Sequence, residues 1–192
     1  MAERGFKSWC EGTALELRRR LRLRNFDPLR PEQVADDLGV TLCTPRDIPG
    51  LSPSAVRILL GEEQDSWSAI TLSTQDRDLV IYNSAHSPGR RANDIMHELA
   101  HMMRGHEPGR VMFFPDGNIA LRTYDQNQED EANWLAGCLL LPRDALTHIK
   151  AHGITEEAAT RTYQVSVQLL KYRLNVTGVN VQFRRARAGR GQ

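Results

Sequence analysis

Cysteine is scarce in this chain: three in 192 residues, at Cys10, Cys43 and Cys138. Odd in number and widely spaced, they form neither a disulfide framework nor a zinc knuckle. Cys138, inside an apolar stretch, is expected in the core. Charge of one sign is also lacking, with 25 Lys and Arg against 24 Asp and Glu and a formal net charge of +1. That balance gives no bulk electrostatic case for binding nucleic acid or a membrane surface. No apolar run approaches the length of a membrane span. The N-terminal stretch with Glu3, Arg4 and Lys7 lacks the apolar centre of a signal peptide, so a cytoplasmic location is expected. There is no internal repeat, and the length suits one domain with a real core.

Against those absences stands one dense piece of chemistry, His97-Glu98-Leu99-Ala100-His101. Residues four apart on a helix share a face, so His97 and His101 can offer imidazole nitrogens to a single ion. Glu98 can reach a water on that ion, the combination zinc hydrolases use near neutral pH. The context fits. Asp78–Asn83 reads as a short buried strand, Ser87 as an N-cap and Pro88 as the first helical residue. Ile95, Leu99, Met102 and Met103 form an apolar stripe, and Gly105 is a C-terminal stop.

A catalytic zinc needs a third protein ligand. His106 is near, but a metzincin-type site would place Gly and His at positions held here by Arg104 and Glu107. It reads as a helix-end residue. The better candidate is Glu129, at the start of a second helix that Pro142 stops. Glu129, Ala132, Asn133, Ala136 and Leu140 fall on one stripe, which suits two closely packed helices with an ion between them. Asn133, one turn on, is placed to hydrogen-bond a ligand. Glu131 is the rival, about 200° around the helix from Glu129. Acids in a first turn also serve the helix dipole without any metal.

Two segments, Asn83–His101 and Glu129–Pro142, resemble the ImmA/IrrE family of bacterial metallo-endopeptidases. In that family a strand ending in Asn leads to an Arg-containing turn and the metal helix. A second helix follows with a Glu ligand, an Ala-Asn or Ala-Asp pair one turn on, and a Leu-rich run ending in Pro. The resemblance implies His97, His101 and Glu129 as zinc ligands and Glu98 as general base. Pro31–Val40 and Val165–Leu174 are similar to the family's outer parts. Asp94 departs from a usual Thr, and Ala100 from a frequent Gly; neither removes a ligand. The implied fold is α+β and zincin-like, a single domain over residues 1–183, followed by a basic, disordered tail over 184–192. The implied substrate is a repressor-type transcription factor, in a stress-response, mobile-element or toxin–antitoxin setting. Two other readings stay open: a non-catalytic metal-containing regulator that binds a repressor or DNA, and another metal-dependent hydrolase on the same scaffold.

Elsewhere the periodicity predicts helices over Trp9–Arg24, Pro31–Leu38, Arg143–His152, Thr155–Thr162 and Ser166–Leu174. Strands are expected at Val40–Thr44, Ser68–Ser73 and Val179–Phe183. Asp47–Ser54 reads as a loop, and Val111–Phe114 with Asn118–Thr123 as a hairpin between the two metal helices. Arg18, Arg19 and Arg20 read as a solvated helix face. Thr155–Leu174 resembles a helix-turn-helix, with Gln168 and Lys171 as its DNA contacts; two packing helices that close the domain are the simpler reading. His148 and His152, lacking an acid partner, read as surface. Tyr124 is an oxyanion-donor candidate, and Tyr163 is as well placed in the core.

Overall fold

The helix bearing the two histidines, α4 (Pro88–Arg104), lies between a small sheet and a second long helix in the computed structural model. The structure describes residues 4–73, 78–106, 112–113, 119–120 and 125–188. Within these, a sheet, α4 and two further helices contact one another in succession. The sheet orders β1 (Thr41–Cys43), β3 (Asp78–Tyr82) and β2 (Ala69–Ser73), with β1 parallel and β2 antiparallel to the central β3. The register aligns Leu42, Val80 and Thr71 across the strands. That face packs toward α4, with Val80 in the core and Leu42, Ala69 and Tyr82 beside it. Ile70 and Leu72 lie on the opposite face, 48% and 39% exposed. Alternation of side chains across a strand produces this division.

On the other side α4 packs against α5 (Gln126–Leu140), and α5 against α1 (Phe6–Arg20). Covered on both sides, α5 buries Ala132, Leu135, Ala136, Gly137, Cys138, Leu139 and Leu140. Small residues let the neighbours approach: a Cβ on Gly137 would lie 3.1 Å from the Arg173 Cδ. The Cys138 thiol is pushed up by a hydrogen bond with Cys10 and by burial. It is core, as its sequence context predicts.

The arginine run at the end of α1 corrects the solvated-face reading. Arg18 is fully buried and donates to the carbonyls of Ala14, Asp27 and Leu139 at 3.1, 3.0 and 2.8 Å. Burial pushes its guanidinium down to about 10. Arg19 and Arg20 are the exposed pair, bonded to Glu16 and Asp37. The helix also begins a turn before Trp9 and ends at Arg20, where Arg22 takes a left-handed φ of 59°.

The short α2 (Pro31–Leu38) ends at Gly39 as expected. The loop read at Asp47–Ser54 contains more: a 3₁₀ turn over Pro45–Asp47, then α3 (Pro53–Arg57) continuing as a π-type turn over Ile58–Glu62. Strands β4 (Met112–Phe113) and β5 (Ile119–Ala120) pair antiparallel in the expected hairpin region; its turn residues lie outside those described. Helices α6 (Arg143–Ala151), α7 (Glu156–Tyr163) and α8 (Val167–Val176) follow the predicted spans closely.

The expected last strand is instead a helix, α9 (Val179–Ala188), which takes in the first residues of the supposed tail. Val179, Val181 and Phe183 alternate like a strand, but Gly178 turns the chain with φ 72°. The helix then puts Val179 in the core with Phe183 against it and leaves Val181 40% exposed. Residues 189–192 lie outside those described. The turn before α8 sits hard against the start of α4: a Cβ on Gly89 would lie 2.9 Å from the Val165 carbonyl carbon.

Candidate metal centre

Helix α4 begins at Ser87 with Pro88 at its first position, although the Ser87 side chain makes no cap bond. It ends at Gly105, whose φ of 65° lets the chain turn back. Between those ends Ile95 and Leu99 are buried toward the core, which fixes the helix's rotation and the direction of His97 and His101. Helix α5 starts at Asp125, whose side chain accepts from the Asn127 amide, and its first turn carries Glu129.

These two helices bring three donor atoms together. His97 Nε2 lies 3.0 Å from His101 Nε2 and 3.1 Å from Glu129 Oε2. His101 Nε2 lies 3.5 Å from Glu129 Oε1. The three residues form the candidate cation cluster among the described residues, with ligand atoms within 4.8 Å of one another. Donors about 2.1 Å from a tetrahedral ion are separated by roughly 3.4 Å, so the spacing fits zinc. So does the chemistry: two imidazoles and one carboxylate, one ligand short of the four that structural zinc sites usually take. The side chains are 16%, 8% and 14% exposed, shielded but reachable.

Glu98 is buried beside them, and Thr71 of β2 donates to its Oε2 at 2.6 Å. A charge-assisted bond of that length fixes the carboxylate's orientation. The sequence offered one clue to Thr71, the alternation that puts Ala69 and Thr71 on the sheet face turned to α4.

The two rival ligands stand elsewhere. His106 is behind His101, with Nδ1 to Nδ1 at 3.0 Å, on the far side of the ring from the cluster. Glu131 receives Arg104 Nε at 2.8 Å and His106 Nε2 at 3.3 Å. Burial pushes the Glu131 carboxyl up, but the bonds from Arg104 and His106 outweigh it and hold it below the usual range. The Arg104 guanidinium also lies over the rings of Phe6 and Trp9.

Asn133 is expected to hydrogen-bond a ligand from one turn after Glu129. It is exposed and makes no hydrogen bond to a ligand among the described residues. It lines a groove of about 590 Å³ with Asn93, Trp134 and Tyr172. Tyr163 is buried and donates to the Phe26 carbonyl at 2.7 Å, a core role; Tyr124 lies outside the described residues. In the C-terminal helices, Leu170, Arg173 and Leu174 of α8 are buried. Gln168 and Lys171 are exposed, and Lys171 already lies 3.4 Å from Glu156. His148 and His152 pack ring against ring, with Phe26 stacked on His148.

Comparison with known proteins adds three findings. The family model of the peptidase M78 group, described as the IrrE N-terminal-like domain, matches residues 55–175. No curated protein matches the sequence. Among solved structures, the chain is similar to a Mycobacterium tuberculosis transcriptional regulator, with a TM-score of 0.52 and 15% identity over 87% of this chain. That alignment spans 46% of the regulator, so this chain corresponds to less than half of it, and at that identity the likeness speaks for the fold.

Proposed function

Since the chain belongs to the peptidase M78 family, we propose that it is a zinc-dependent endopeptidase, with His97, His101 and Glu129 holding the ion and Glu98 as general base. The observation that carries this reading is the convergence of the three donor atoms beside a buried carboxylate. The three side chains would hold the ion, which would supply Lewis acidity toward the scissile carbonyl and lower the pKa of the attacking water. Glu98 would accept the proton of the attacking water and hand it to the leaving amine. Thr71 keeps Glu98 aimed while it does so. A purely structural centre needs no such base.

A peptide also has a place to lie. Strand β2 is at the edge of its sheet among the described residues, and it supplies Thr71. An extended chain can add to a free strand edge through its backbone bonds. The substrate we propose is a repressor-type DNA-binding protein, and the setting cytoplasmic. No described helix is long and apolar enough to cross a membrane. The second reading is a regulator that binds a repressor or DNA without cleaving it. The likeness to a transcriptional regulator favours it, and the base beside the three donors speaks against it.

The test compares wild type and Glu98→Gln, each loaded with zinc, against a panel of helix-turn-helix repressors, with cleavage followed by intact mass. Wild type should cut one of them. The variant should keep one zinc per chain and lose activity by about 10²- to 10⁴-fold, because an amide cannot accept the proton. Wild-type turnover in Glu98→Gln would end the mechanism; zinc binding with repressor capture but no cleavage would favour the regulator.

A further inference from the structure

A line of polar side chains leads away from the metal centre on the side that the three donors do not use. It runs from His101 Nδ1 to His106 Nδ1 at 3.0 Å, from His106 Nε2 to Glu131 Oε2 at 3.3 Å, and ends on Arg104, whose Nε donates to the same oxygen at 2.8 Å. The His106 and Glu131 side chains are 8% and 19% exposed, so the line is sheltered from bulk water. It exists because α4 ends in a Schellman turn. The amide of His106 bonds the carbonyl of His101 at 3.0 Å and that of Gly105 bonds Met102 at 3.0 Å. In this motif the residue after the left-handed glycine folds back over the one five before it. The contact there is usually apolar; here it joins two imidazoles.

The protons can be assigned from the far end inward. Arg104 only donates and a carboxylate only accepts. His106 Nε2 faces that carboxylate and therefore carries a hydrogen. With one proton on the ring, His106 Nδ1 is an acceptor, so His101 Nδ1 donates to it. The lone pair of His101 is then on Nε2, the atom that meets His97 and Glu129. His97 has no equivalent support: its Nδ1 is buried and without a partner among the described residues.

We propose that His106 and Glu131 are positioning residues of the metal centre, which fix the His101 ring and the tautomer that binds the ion. This rests on the metal reading above and adds that the two histidine ligands are held unequally. Side chains that orient a metal-bound histidine typically change metal affinity by about 10- to 100-fold.

The experiment measures zinc affinity by chelator competition, the visible spectrum of the cobalt-substituted protein, and the thermal stability of the metal-free protein. Wild type, His106→Ala, His106→Gln and Glu131→Ala are compared. His106→Ala should bind zinc about 10- to 100-fold more weakly and alter the cobalt spectrum. His106→Gln should recover most of that loss, since its amide can accept from His101 and donate to Glu131. A merely structural role would lower the stability of metal-free His106→Ala and leave its zinc affinity and cobalt spectrum alone. Should His106→Ala not fold, Glu131→Ala is expected to show the same fall in affinity, toward the lower end of the range. Wild-type affinity in the variants, with zinc bound by wild type, would overturn this proposal and leave the metal reading intact. No zinc binding by wild type would overturn both.

Discussion

The two ends of α5 are built from opposite charges and solve opposite problems. At its C-terminal end, carbonyls that the helix cannot satisfy itself meet arginines brought by other helices. Arg18 of α1 reaches the Leu139 carbonyl at 2.8 Å, and Arg173 of α8 reaches that of Leu141 at 3.1 Å. Glu11 then joins Arg173 and accepts from the Arg143 amide. At the N-terminal end the side chains are carboxylates, which the helix dipole favours. Glu131 is answered by Arg104 and His106, but Glu129 faces two imidazoles whose ring nitrogens lie about 3 Å apart. One end is closed by cations the chain carries. The other gathers lone pairs whose natural complement is a cation from outside. A single helix thus separates the groups that hold the fold from the groups proposed to hold the ion.

The largest break in that comparison is Glu129→Ala. It should abolish stoichiometric zinc binding at micromolar metal, a greater loss than removal of any outer partner, while metal-free stability changes little. Metal analysis after dialysis without chelator reads this directly, and zinc retained at one per chain would mean that the third ligand is another residue. Next comes Arg18→Met at the opposite end. Leaving its carbonyl partners without a donor should lower unfolding stability by about 3 kcal/mol, measured by urea titration of the metal-free protein. Its folded fraction should bind zinc as wild type does. A loss below about 1 kcal/mol would show that those carbonyls find other donors. The smallest effect is expected from Thr71→Val. Removing one hydrogen bond to a charged base should slow cleavage about tenfold with zinc affinity unchanged; weakened zinc binding instead would mean that Thr71 supports the ligands rather than the base.

Much of the site can be read in the sequence because the determinants are local. The spacing of His97 and His101, the cap at Gly105 and the stripe of Glu129, Ala132 and Ala136 each follow from helix geometry within one element. What sequence reading misses depends on contacts between elements. Arg18 looks like its neighbours Arg19 and Arg20; only the packing of α1 on α5 separates it from them. Thr71 meets Glu98 across 27 positions of chain. The strand reading of Val179–Phe183 fails because alternation over three apolar residues also describes a helix with one of them facing out. His106 is the instructive case. Gly105 was legible as a helix stop, and the Schellman geometry that such a glycine adopts already brings residue 106 back over residue 101. The information was local, but it belonged to the turn rather than to the helix period.

Gly89 has a consequence for what the start of α4 tolerates. With no room for a Cβ between it and the backbone at Val165–Ser166, the first turn of α4 butts directly on the corner between α7 and α8. The histidine-bearing helix is thereby seated against backbone rather than against a side chain that could yield: any larger residue at that point must push the closing helices away. Gly89 lies about two helical turns before His97, so the packing of the closing helices and the placing of that imidazole are tied to one another through a residue that carries no side chain at all.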